Sequence, residues 1–205
     1  LFVAGVQTKQ FLIVVVLGGI GILSLIYFEP YRWERILAYQ DPWGDPYGTG
    51  YQLTLSLMSI GRGDWFGVGL GEGLMKMGYL PDAHTDFIFA VIVEEMGLVT
   101  GIIILALLFA LSFRSFFIAR KALLKNLFFS FFVGYGVAIV IGLHTFINIG
   151  VATGLLPTKG ITLPFISYGG THLLIMCSLI GLILRIDYET KLAMPIANIT
   201  RRANF

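Results

Sequence analysis

The sequence predicts an all-α integral membrane protein, a polytopic bundle of four spans with a large loop on one side. Three observations predict it. Hydrophobic residues make up 57% of the 205 positions and charged residues only 13%, where soluble domains carry about 25% charged. Four stretches with few or no charges approach or exceed the roughly 20 residues that a helical span needs. Lys and Arg gather in some of the intervening segments and are sparse in others, the signature of a sided membrane protein.

The first span is Phe11–Phe28, which carries no charge. It lacks a small-residue cleavage site and runs straight into Glu29-Pro30, so it reads as a spanning helix rather than a signal peptide. The chain opens Leu-Phe and is expected to be a piece of a longer protein. Residues 29–86 form a long loop with short helices. RWERILAY (Arg32–Tyr39) reads as amphipathic, with Trp33 suited to a membrane interface. Asp41-Pro42-Trp43-Gly44-Asp45-Pro46 is turn chemistry. Tyr51–Ile60 is helical but short for a span, hence interfacial or re-entrant. Gly61–Gly73, GRGDWFGVGLGEG, lacks the GxGxxG spacing of a dinucleotide loop and follows no strand, so it reads as a flexible, close-packing loop over a cleft. The remaining spans are Phe87–Phe113, Leu127–Val151 and Phe165–Ile186, with a second loop at 152–164 and a tail at 187–205.

Arg114, Arg120, Lys121 and Lys125 follow the second span. Arg185, Lys191, Arg201 and Arg202 lie at and beyond the end of the fourth, and Lys9 precedes the first. These segments are expected on the cytoplasmic side. The 29–86 and 152–164 loops then face outward.

The chemistry concentrates in YLPDAHTDFIFAVIVEEMG, Tyr79–Gly97. Pro81 makes Leu80 extended and ends any preceding helix. Thr85 is a good N-cap and Asp86 a good first-turn anion for the helix that follows. Asp86 therefore reads either as a plain cap or as a reactive carboxylate fixed at the mouth of the bilayer. The helix dipole would lower its pKa and burial would raise it, and the residues leave that contest open. Glu94 and Glu95 lie about two turns into the span. Intramembrane acids are costly and functional by default, although a salt bridge or hydrogen bond to another helix serves equally; helical geometry puts neither on one face with Asp86. His144 and Asn148 share one face of the third span and read as a helix–helix hydrogen-bonding stripe. In TGLLPTKGITLPFISYGGTH, Lys159 offers a point charge for a phosphate, or simply faces solvent, and Ser167-Tyr168-Gly169-Gly170 marks a broken helix start. Cys177, the one cysteine, can form no internal disulfide and reads as a small buried hydrophobe. Metal-site, P-loop and hydrolase signatures are absent, and a net charge of +2 without a basic stripe argues against nucleic acid.

These same segments carry a resemblance. YLPDAHTDFIFAVIVEEMG, WFGVGLGEG, GLLPTKGITLPFISYGG and LILRIDYET, in that order, resemble the SEDS family of bacterial cell-wall glycan polymerases, the division member more than the elongation or sporulation members. The resemblance implies the last four helices of a ten-helix fold in the bacterial inner membrane at the division septum, with Asp86 on the outer, periplasmic side. It implies a peptidoglycan glycosyltransferase that joins lipid II head groups, with undecaprenyl pyrophosphate leaving. Asp86 would act as general base on the attacking hydroxyl, or help hold a divalent cation, Mg or Mn, at the pyrophosphate. His84, Thr85, Lys159, Ser167 and Tyr168 are the matching candidates for substrate contact. The partners implied are a class B penicillin-binding protein and other division membrane proteins. Two departures stand out: Asp82 where the family has Glu, and Thr171-His172 where it has Ser-Ser. Lipid II transport through the polar positions at depth, or a scaffold for the transpeptidase, are the competing functions.

Overall fold

The computed structural model describes residues 8–28, 41–48, 50–77, 80–157 and 160–193. The Arg32–Tyr39 helix, Lys159 and most of the 187–205 tail lie outside the described residues. Five α-helices follow in order: α1 (Thr8–Phe28), α2 (Tyr51–Gly63), α3 (Ile88–Leu124), α4 (Phe128–Ala152) and α5 (Gly170–Leu192), with a 3-10 turn at Met75–Met77. Among the described residues there is no strand. Helices α3, α4 and α5 are long and apolar enough to cross a membrane.

The chain divides into two compact units at Thr54/Leu55. In the first, α1 is followed by turns in which Gly44 N–H donates to both the carbonyl and the carboxylate of Asp41. Thr54 Oγ1 sits 2.9 Å from the carbonyl oxygens of Pro42 and Gly50 and fastens this turn to the start of α2.

The second unit is built on α3, α4 and α5. Ser112 and Ala119 of α3 meet Gly134, Ala138 and Gly142 of α4, small residues four apart on one face. Ser112 Oγ donates to Ala138 O at 2.7 Å, and a Cβ on Gly134 would lie 3.0 Å from that of Ala119. Close backbone approach between small residues is how helices associate where lipid removes the hydrophobic drive. Ile118, Ala122, Phe131, Val137, Ile141, Met176, Ile183 and Ile186 close the core beside it.

Three boundaries differ from the expected spans. Helix α3 does not end at Phe113 but runs to Leu124, so Arg114, Arg120 and Lys121 are helical rather than in a loop. The last span begins at Gly170, not Phe165, and continues to Leu192 rather than stopping at Ile186. Charge does not end a helix; it only ends burial in lipid. Lys125 follows α3, and its Nζ donates to Thr190 O and, at 2.8 Å, to Ala193 O, a cation at the carbonyl end of α5 where the dipole favours it.

Helix α3 is broken at Gly97, whose φ of 83° and ψ of 166° are not helical. In an unbroken helix Leu98 and Val99 N–H would donate to the carbonyls of Glu94 and Glu95. Here Val68 and Gly69 N–H take those two carbonyls at 2.9 and 3.0 Å, while Leu98 and Val99 N–H donate to Asp64 O and Trp65 O. The loop after α2 thus fills the missing turn. A Cβ on Gly97 would fall 2.3 Å from Trp65 O, and one on Gly67 2.2 Å from Glu95 O, so both glycines are required by close backbone approach.

Candidate active site

The segment Leu80–Phe87 is held from below by its apolar residues. Leu80, Ala83 and Phe87 are buried in one cluster with Val91 and Val151, joined by Leu55, Met75, Ile147 and Leu156. The polar residues between them are left facing outward. Asp82, at φ 53°, turns the chain so that its carbonyl receives Thr85 and Asp86 N–H at 3.1 Å each.

Thr85 is not the helix cap its position suggested. Its hydroxyl donates back to Asp82 O at 3.2 Å, and α3 begins at Ile88 after Phe87 with no side-chain cap. Burial of Phe87 sets where the helix starts, which leaves Asp86 in the turn before it. Asp86 is therefore outside the helix, and its face relation to Glu94 and Glu95 on a continuous wheel does not apply.

Three tertiary hydrogen bonds fix this turn through its backbone. Asn148 Nδ2 donates to Asp86 O at 2.9 Å and to Ile161 O at 2.7 Å. Ser167 Oγ donates to Thr85 O at 2.5 Å while accepting from Leu163 N–H at 2.7 Å. Tyr168 N–H donates to His84 O at 2.9 Å. The carbonyls of His84, Thr85 and Asp86 are each taken by α4 or by the loop entering α5, so the turn is held through its backbone.

The Asp86 side chain is half-buried. Burial, and then the neighbouring Asp82 carboxylate, push its pKa above the ordinary aspartate value. A Cβ placed on Gly160 would lie 2.9 Å from Asp86 Oδ2; the glycine lets the 160–169 loop run against the carboxylate. An open cleft of about 400 Å³ is lined by His84 and Ile88, which flank the Asp86 turn in sequence, and by Ile166 and Tyr168, within the size range of ligand pockets; Asp86 itself is not among the lining residues. Gly160, Ile88 and Ile166 carried no signal in the sequence, being ordinary residues made neighbours by the fold. Among the described residues no group of three His, Cys, Asp or Glu is arranged to hold a metal ion.

The polar residues at depth have other partners. Glu94, with no exposed surface, accepts from Ser59 Oγ at 3.0 Å, Leu74 N–H at 3.0 Å and Arg62 Nη1 at 3.4 Å. Glu95 pairs with Lys76 Nζ at 2.5 Å and accepts from Gly71 N–H. Both acids are spent on the glycine-rich loop. That loop packs along α3 at Gly97. His144 stacks on His172 of α5, ring centroids 5.6 Å apart and planes 11° from parallel, while Asn148 serves the Asp86 turn. The expected stripe on α4 thus splits between a helix contact and the site.

Fold and site together define a multi-pass membrane protein that presents one half-buried, backbone-locked carboxylate at the end of its bundle opposite the basic residues. The FTSW_RODA_SPOVE family model, described as "Cell cycle protein", matches residues 1–192, and the chain belongs to that family. It is 50% identical over 192 residues to the "Probable peptidoglycan glycosyltransferase FtsW" of Aliivibrio salmonicida, covering 93% of this chain and 48% of that one. It is 49% identical over 191 residues to the Coxiella burnetii protein of the same name, covering 93% and 51%. A solved chain from "Structural coordination of polymerization and crosslinking by a peptidoglycan synthase complex" superposes with a TM-score of 0.67 at 28% identity, covering 92% of this chain and 52% of that one. The chain spans about half the length of the relatives it matches. It is a multi-pass bacterial membrane protein.

Proposed function

We propose that this chain carries the catalytic half of a peptidoglycan glycosyltransferase acting on lipid II at the outer face of the inner membrane, in septal wall synthesis. One observation carries the reading: Asp86 is a half-buried carboxylate of raised pKa whose turn is locked through its backbone, with its neighbour His84 on the wall of an open cleft. A general base works best with a pKa drawn toward the operating pH, and burial supplies that shift. Asp86 takes the proton from the C4 hydroxyl of the acceptor GlcNAc as that oxygen bonds to C1 of the MurNAc at the end of the growing strand. The bond from C1 to undecaprenyl pyrophosphate breaks, and the pyrophosphate carries away the electron pair. His84 and Tyr168, on the cleft wall, contact the sugars; Thr85 and Ser167 hold the turn rather than the substrate.

Sidedness follows from charge. Arg114, Lys121, Lys125, Arg185 and Lys191 sit at the far ends of α3 and α5, and positive residues stay cytoplasmic, which puts Asp86 outside. The likeness to a chain of a peptidoglycan synthase complex supports a transpeptidase of the class B penicillin-binding type as partner. Transport gains no comparable support, because Glu94, Glu95 and Asn148 are consumed by loop contacts rather than lining a path.

The test is glycan-strand synthesis from lipid II by the full-length protein with its transpeptidase partner, comparing wild type with Asp86→Asn. Loss of polymer with partner binding and melting behaviour preserved supports the assignment. Polymer formed by the Asn variant at the wild-type rate removes Asp86 from the mechanism.

A further inference from the structure

We propose that the loop Asp64–Leu74 is a membrane-interface anchor, seating Trp65, Phe66 and Leu70 in the leaflet on the Asp86 side. The sequence reading of this glycine-rich segment as a flexible cover over a cleft gives way to a different geometry. Its backbone is bonded into the break of α3, so its position against the span is fixed. Its inward groups are polar and all engaged: Val68 and Gly69 N–H on the Glu94 and Glu95 carbonyls, Gly71 and Leu74 N–H on the two carboxylates. Its bare apolar groups are Trp65, 57% exposed, Phe66, 85%, and Leu70, 74%, with the exposed acids Asp64 and Glu72 near the two ends of the loop.

Those side chains continue the lipid-facing surface of α3. Val99, whose N–H bonds Trp65 O, begins an exposed apolar row with Ile102, Ile103 and Leu107. The uncharged stretch Leu98–Phe113 is about 24 Å long at 1.5 Å per residue, against about 30 Å of hydrocarbon. The missing ~6 Å falls at the level of the break, where α3 carries Glu94 and Glu95. The loop covers those acids with its polar side and offers lipid its apolar side. Non-helical backbone survives at membrane depth only when its hydrogen bonds are made within the protein, and here they are. Tryptophan is the residue most at home in that belt. Arg62 and Lys76, which pair with the two acids, flank the loop at headgroup level.

The experiment uses the full-length protein in phosphatidylethanolamine–phosphatidylglycerol vesicles, with every tryptophan except Trp65 changed to phenylalanine. Trp65 emission should be blue-shifted and lost on substituting lipids brominated near the headgroup end of the acyl chain, with iodide quenching well below that of free N-acetyltryptophanamide. Quenching by iodide but not by brominated lipid overturns the proposal, since the loop is then in water. Insensitivity to both also overturns it, since protein then covers the loop. If the multiple substitution prevents folding, a nitroxide on Phe66→Cys gives the same decision: greater access to oxygen than to a water-soluble nickel chelate is expected, and the reverse refutes.

Discussion

Asn148 is a residue through which the bundle holds the Asp86 turn, and Asn148→Leu tests that directly. Leucine keeps the branching and heavy-atom count of the side chain and removes both N–H donors. Two carbonyls, Asp86 O and Ile161 O, lose their partner at 2.9 and 2.7 Å. A sealed orphan carbonyl costs about 1–3 kcal/mol, and both residues here are half-buried, so the pair costs about 2 kcal/mol. The substitution also removes the buried Asn148 Oδ1, which itself has no hydrogen-bond partner; relief of that atom returns about 1 kcal/mol. The net loss of stability is about 1 kcal/mol, too small to unfold the bundle. Activity should fall further, because a displacement of about 1 Å at a reacting group costs on the order of 100-fold. Asn148→Asp should be worse than Leu, since it sets an acceptor against two acceptors. The assays are lipid II polymerisation and thermal unfolding in detergent. A Leu variant that loses the expected stability yet polymerises at the wild-type rate would refute the claim that this contact positions Asp86.

Three further outcomes follow. Because the folded state raises the Asp86 pKa, its charge costs stability, and the cost develops as pH rises from the ordinary aspartate value through the raised one. Asp86→Asn should therefore melt higher than wild type at neutral pH, with the gap closing in acid, and wild-type polymerisation should rise through a midpoint above the ordinary aspartate range; a gap independent of pH argues against a shifted carboxylate. Gly97→Ala meets Trp65 O as well as backbone strain of about 1–3 kcal/mol, whereas Gly71→Ala, at φ 91° with open space around it, meets strain alone. Gly97→Ala should thus lower the melting temperature more, and equal losses would mean the loop does not occupy the break. Glu94→Leu gives up charged hydrogen bonds worth about 1.5–3 kcal/mol and should speed tryptic cleavage at Arg62, its ion-pair partner, while Glu94→Gln, whose amide oxygen still accepts from Leu74 N–H, should resist; digestion unchanged in Glu94→Leu would show that Glu94 does not hold the loop.

What the sequence displayed and what it hid divide along a physical line. Apolar composition and spacing display lipid burial, so α3, α4 and α5 were legible, and a motif of turn-forming and polar residues displayed Asp86. Helix ends were less legible because they are set by tertiary bonds: Phe87 buries itself and moves the start of α3, and Arg114 to Lys121 remain helical after leaving the apolar region. The break at Gly97 was least legible of all. The pattern AVIVEEMGLVTG is apolar on both sides of it, and helical periodicity runs through without interruption. Two acids in a span ask for partners, but only the folded chain shows that the partners are backbone N–H groups of a loop some 20 residues earlier in sequence, whose glycines are what let it approach. The same holds at the site. Asp86 announces itself by type, whereas Asn148, Ser167 and Gly160 act through the atoms they offer to a distant carbonyl or carboxylate. A carboxylate at a membrane surface is common chemistry; one whose three adjoining carbonyls are tied to α4 and to the loop entering α5 is preorganised, and preorganisation is the property that the proposed base requires and a plain cap does not.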